Sequence, residues 1–273
     1  MRTSFALALA LLWAPAQNEQ LTISNVRATY DLLGPNRPDD KILPGDKYLV
    51  AFDVAGMKAA PDGKVSFTMA MELKDANGNV LYNQPPADQE LYLTLGGDKL
   101  SNQSVYIYSN PNDKPGKRSL KLTIVDKATK ATQSFTREFE VLPKDFGIIR
   151  LSTSSDAGGT TPAPLHGVVG QYLHVNFYVV AFGRNPGTNQ PDLSIEMRIL
   201  DDKGKPALAV PVEGHVTRDV PADWLMYPMQ FHLGLNRPGK FTIELKATDN
   251  VANKSAKKIK LPLTVIEQKA PAE

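Results

Sequence analysis

The chain has 273 residues, with 31 Lys plus Arg, 29 Asp plus Glu, 4 His and no Cys. So balanced a charge gives no footing for nucleic acid or an anionic membrane as partner, and an apolar content of 42% supports packed cores rather than disorder. Without Cys, disulfides, thiolate zinc sites, iron–sulfur clusters and cysteine nucleophiles are excluded.

The N-terminus reads as a secretory signal peptide over residues 1–16. Arg2 supplies the positive start, Phe5 to Trp13 is an apolar run, and Ala14-Pro15-Ala16 offers small residues for cleavage. The run is shorter than the roughly 20 residues a membrane span needs, and no later stretch reaches that length. No Cys follows the leader, so no lipid anchor attaches there. The expectation is an exported protein, periplasmic or extracellular, with no integral membrane segment after cleavage. Export without any Cys is more typical of bacteria.

Beyond the leader the chain repeats itself. Gly45-Asp-Lys-Tyr-Leu-Val-Ala-Phe-Asp-Val54 matches Gly170-Gln-Tyr-Leu-His-Val-Asn-Phe-Tyr-Val179, and Met71 to Gly78 matches Met197 to Gly204. Pro115-Gly-Lys-Arg-Ser-Leu matches Pro238-Gly-Lys-Phe-Thr-Ile in the same order along the chain. Three matches in register predict two domains, 20–143 and 147–267, with a tail at 268–273. The join, Leu142 to Phe146, is short and contains Pro143, which suits a semi-rigid elbow.

Within each repeat the apolar period is two. Val65, Phe67, Met69, Met71 and Leu73 share one face, as do Leu120, Leu122 and Ile124. Leu193, Ile195, Met197 and Ile199 repeat the pattern, and so do Phe241, Ile243, Leu245 and Ala247. This predicts antiparallel strands with one buried and one wet face. Turns are expected at Pro61-Asp-Gly63, Asp75 to Gly78 and Asp201 to Gly204, and strands are expected to open at Pro115-Gly116 and Pro238-Gly239. Seven or eight strands per repeat and no helical period favour an all-β pair of tandem immunoglobulin-like Greek-key sandwiches; a closed barrel is the alternative.

The late turn Thr248-Asp-Asn-Val-Ala-Asn-Lys-Ser255 resembles the D-x-x-x-N-x-S hairpin of bacterial immunoglobulin-like and fibronectin-type repeats. Its first copy keeps Asp126 but has Lys130 where Asn253 stands. The resemblance implies fold and no activity.

No chemistry-bearing motif accompanies these strands. There is no G-x-S-x-G elbow and no glycine-rich phosphate loop, so no catalytic residue, cofactor or enzyme activity is expected. All four His lie in the second repeat: His166, His174, His215 and His232. Alternation puts His174 and His232 on outward faces, where they meet only if their strands pair. Met229 and His232 are three apart, so they point to opposite sides and make no copper pair. No metal site is expected. Asp126 and Asp249 are expected to close turns rather than hold calcium. Trp224, the only Trp after the leader, stands near Tyr227 between prolines. It forms either a platform for a sugar or protein partner or an aromatic plug. Trp224, Tyr227 and Tyr178 are the candidate binding residues. The function expected is that of an exported, non-enzymatic binding or structural protein with a protein or polysaccharide partner. The alternatives are a carbohydrate-binding accessory protein centred on Trp224 and a strand-donating chaperone.

Overall fold

A computed structural model describes residues 20–268, and the leader 1–16 and residues 269–273 of the tail lie outside the described residues. The described chain is all-β. Its first part holds β1 (Thr22–Thr29), β2 (Lys41–Ile42), β3 (Lys47–Ala55), β4 (Lys64–Asp75), β5 (Val80–Tyr92), β6 (Lys99–Tyr108), β7 (Gly116–Asp126) and β8 (Thr132–Val141). Its second part holds β9 (Gly147–Ser154), β10 (His166–Val168), β11 (Tyr172–Val180), β12 (Leu193–Leu200), β13 (Val212–Val216), β14 (Met226–Gly234), β15 (Gly239–Asp249), β16 (Lys254–Ser255) and β17 (Ile259–Ile266). The second part therefore has one strand more than expected, the two-residue β16 that closes the late turn on β15.

Four separate sheets replace the alternative of a closed barrel, and their orders repeat. In the first part they run β1-β3-β6 and β2-β8-β7-β4-β5. In the second they run β9-β11-β14 and β10-β17-β15-β12-β13, with β16 on β15. Each set pairs a short strand in parallel with its last strand, β2 with β8 and β10 with β17, while the other pairings are antiparallel. The apolar period of two explains why the sheets face each other. Leu120, Leu122 and Ile124 of β7 are fully buried in one apolar cluster with Tyr48, Val50 and Phe52 of β3. Ile243, Leu245 and Ala247 of β15 occupy the equivalent places in a second cluster with Val175, Phe177 and Val179 of β11. Burying one such side chain stabilises by about 1.5–3 kcal/mol, so each face carries its own core.

The turns follow their residue chemistry. Gly78 and Gly204 have φ of 82° and 76°, and each amide donates to the carbonyl three residues back, at Asp75 and Asp201. Asp75 Oδ1 accepts from the amides of Asn77 and Asn79, and Asp201 Oδ1 from those of Lys203 and Lys205. Gly116 and Gly239 open β7 and β15 with φ of 144° and 146°, a conformation other residues rarely take.

The segment from Leu142 to Phe146 joins the two parts. Phe146 is buried with the second cluster, and Asp145 accepts from its amide and from Lys254 Nζ. Beside the join, Asp46 of the first part accepts from the Arg150 amide at 2.7 Å, and Arg150 Nε donates to the Gly45 carbonyl at 2.7 Å. Asp46 also receives the buried Arg37 guanidinium at 2.8 Å.

Candidate binding surfaces

The structure brings Trp224 and Tyr227 together and keeps Tyr178 apart. Trp224 and Tyr227 rings lie 5.9 Å apart at 47°, at the start of β14. Trp224 is 42% exposed, while Tyr227 packs partly on the second core. The loop holding Trp224 is pinned by Arg184, whose guanidinium donates to the carbonyls of Val220, Pro221 and Trp224. The pair is thus half platform and half plug. Tyr178 stands on the outer face of β11, where the Arg150 guanidinium lies 5.5 Å from its ring. The same guanidinium lies 4.9 Å from Tyr108. Arg150 therefore sits between an aromatic ring of each part, a stacking that adds to its hydrogen bonds with Gly45 and Asp46. Sequence spacing offered no sign of this, because Arg150 has φ of 50° in a β9 bulge that breaks the alternation.

A second surface emerges along β6. The three-stranded sheet ends at β6 and the facing five-stranded sheet ends at β5. Between them opens a cavity of about 1020 Å³. Its floor is apolar: Met69, Met71 and Leu73 of β4, Val105 and Ile107 of β6, and Phe139 of β8. Tyr82 and Gln84 of β5 line the far rim, and Tyr106 and Tyr108 the near one. As alternation predicts, Val105 is buried while Tyr106 and Tyr108 are more than half exposed; their rings meet edge-on at 5.4 Å. Four further apolar residues of β5 (Val80, Leu81, Leu91, Tyr92) are exposed. The two flanking edges differ in their protection. Pro85 and Pro86 interrupt β5, whereas β6 runs ten residues without proline and leaves one row of backbone groups unpaired.

The histidines resolve into one pair and two single residues. β11 pairs with β14 so that His174 lies directly across from His232, and their Nδ1 atoms stand 2.6 Å apart. His174 is buried and His232 exposed. His166 lies on β10, and His215 on β13 faces Glu213 at 3.4 Å. Met229 points the other way from His232, toward Gly214 of β13. Among the described residues, no three His, Cys, Asp or Glu side chains converge on a metal position.

The turn aspartates are fully engaged. Asp126 and Asp249 are almost wholly buried. Asp126 accepts from the amides of Ala128 and Lys58 and from the Thr129 hydroxyl. Asp249 accepts from the amides of Val251, Ala252 and Gly183. Each carboxylate thus ties its own turn to the loop before the neighbouring strand. Burial pushes the Asp126 carboxyl upward, but the N–H groups of Ala128 and Lys58 and the Thr129 hydroxyl outweigh it and hold it below the usual carboxylate range. With their oxygens taken by N–H and O–H donors, the two side chains are turn braces.

No family model and no curated protein sequence matches the chain. Among solved structures, it is similar to the C-terminal domain of the AgI/II polypeptide BspA of Streptococcus agalactiae, at 8% identity and TM-score 0.30, covering 89% of this chain and 100% of that one. It is similar to the C-terminal domain of the antigen I/II-family protein AspA of Streptococcus pyogenes, at 10% identity and TM-score 0.29, covering 89% and 99%. Red sea bream transglutaminase aligns at 9% identity and TM-score 0.28, over 93% of this chain; the chain spans about a third of that enzyme's length (32%). Likenesses this distant assign neither family nor activity. No helix among the described residues is long and apolar enough to cross a membrane.

Proposed function

We propose that the chain is an exported, non-enzymatic binding protein of two tandem sandwich domains, 20–143 and 147–267, that captures an extended polypeptide segment along β6. The observation that carries this reading is the open apolar cleft between β6 and β5. An extended segment laid there satisfies the unpaired backbone groups of β6. It also drops every second side chain onto Met71, Val105 and Ile107. Strand addition of this kind takes its affinity from main-chain hydrogen bonds and its specificity from the pockets under alternate side chains. A peptide partner suits this cleft, whose apolar and tyrosyl floor is flanked at one end by the polar and charged side chains Asp75, Asp113, Lys114 and Arg118.

A displayed library of random nonapeptides, panned on the full exported chain, tests the reading. Enriched sequences should alternate apolar and polar residues, and Ile107→Lys should abolish their retention while the fold, followed by circular dichroism, persists. Binders that survive Ile107→Lys and are lost with Trp224→Ala would move the site to the second domain. A library that yields no binder would contradict the strand-capture reading.

The exposed Trp224 ring beside Tyr227 supports a second reading, a platform for a sugar ring. Retention on a polysaccharide column that is lost in Trp224→Ala without a fall in melting temperature would favour it. A fall in melting temperature without a change in retention would leave the ring as a plug.

A further inference from the structure

The His174–His232 rung is a pair of metal-ligating groups with no counterpart in the first repeat, where the matching rung joins Leu49 and Tyr106. The two imidazole rings stand perpendicular, with centroids 4.7 Å apart. Their Nδ1 atoms approach to 2.6 Å. At that distance only one hydrogen fits between them, so one ring donates and the other accepts through its lone pair. The two Nδ1 atoms face each other from directly opposed strands, so both reach one ion once the rings tilt aside.

The rungs on either side are occupied by other side chains. One rung along, Gln230 donates to Asn176 at 2.6 Å and Asn176 to Ser154 at 2.9 Å. On the other side the Tyr172 ring lies against Gly234, the partner of Tyr172 on β14. The pair therefore sits between two occupied rungs, with His174 buried and His232 open to solvent.

We propose that His174 and His232 bind one late first-row divalent ion through both Nδ1 atoms, with water filling the remaining positions. Imidazole nitrogen suits Zn²⁺, Ni²⁺ and Cu²⁺, and Cu²⁺ binds tightest among them at such ligands. Ca²⁺ and Mg²⁺ are disfavoured because they take oxygen ligands. Metal–nitrogen bonds of about 2.0–2.1 Å in a tetrahedral arrangement set the two nitrogens roughly 3.4 Å apart. The rings therefore open by somewhat under about 1 Å, within reach of small side-chain rotations. The hydrogen between them leaves the donor's Nδ1, and that ring takes one up from solvent at Nε2. A neutral pair thus stays neutral and no net proton is released. The ion bridges β11 to the edge strand β14.

Titration of the full exported chain with CuCl₂, followed by electron paramagnetic resonance, tests the site. The wild type should show a Cu²⁺ signal with superhyperfine splitting from two nitrogens. His232→Gln alters an exposed side chain and should remove that splitting and weaken Cu²⁺ binding at least about tenfold. A His166→Gln/His215→Gln double variant should keep both. ZnCl₂ should raise the melting temperature of wild type and double variant but not of His232→Gln, whereas MgCl₂ should shift none of them. A two-nitrogen signal that persists in His232→Gln, or is lost in the double variant, would overturn the assignment. So would the absence of any two-nitrogen signal in the wild type.

Discussion

The two repeats share a strand order down to the parallel pairing of their second and last strands, yet they finish one edge in opposite ways. In the first, β5 runs thirteen residues and stands away from β6, leaving the apolar cleft. In the second, the equivalent β13 has five residues, and the Met229 methyl of β14 stands 3.1 Å from where a Cβ on Gly214 would sit. Pro228 further interrupts β14. The difference teaches that the shared apolar period dictates the layers, while individual residues at a sheet's edge decide whether it is closed or available.

The comparison breaks first at the turn braces, which the repeats hold in common. Asp126→Asn and Asp249→Asn should each cost about 2–4 kcal/mol in urea unfolding, because each leaves buried N–H groups without their carboxylate. A loss confined to one repeat would show that the braces are not equivalent. Acid should act through Asp126 in the same direction. Its folded-state pKa lies below the unfolded value, so its contribution is present above about pH 4 and is lost as pH falls through the folded value. The Asp126→Asn variant should accordingly lose less stability than wild type on acidification below pH 4.

The close approach of Met229 to Gly214 is the next point of attack. Gly214→Val places a side chain against Met229 and should cost about 1–3 kcal/mol by overpacking. Unfolding followed by β13 and β14 amide signals would check it, and a neutral result would mean that β13 and β14 are loosely packed there. The smallest expected effect lies at the turn where the copies differ. Lys130 and Asn253 occupy the same position with φ of 63° and 54°. Asn adopts this left-handed conformation at lower cost than Lys, so Lys130→Asn should raise stability by about 0.5–1 kcal/mol. The reverse change, Asn253→Lys, should lower it by a similar amount.

Much of this fold was legible in the sequence, for local reasons. Strands showed through side-chain alternation, and turns through Asp and Gly at fixed offsets. The Pro-Gly starts of β7 and β15 fell where Gly116 and Gly239 adopt positive φ. What stayed hidden depends on long-range register. His174 and His232 are 58 residues apart, and only the pairing of β11 with β14 sets them on one rung. The stacking of Arg150 between Tyr108 and Tyr178 depends on a bulge that alternation does not foresee. The open cleft depends on how far β5 stands from β6, which no residue of either strand records alone. Trp224 and Tyr227 were legible as neighbours because only two residues separate them; Tyr178 was not legible as a neighbour of Arg150.

Backbone amide exchange along β6, with and without a nonapeptide selected on the full chain, tests strand capture most directly. Bound peptide should slow exchange at alternate amides between Leu100 and Tyr108 and leave β14 unchanged. Protection around Trp224, or none along β6 with the peptide bound, would contradict it.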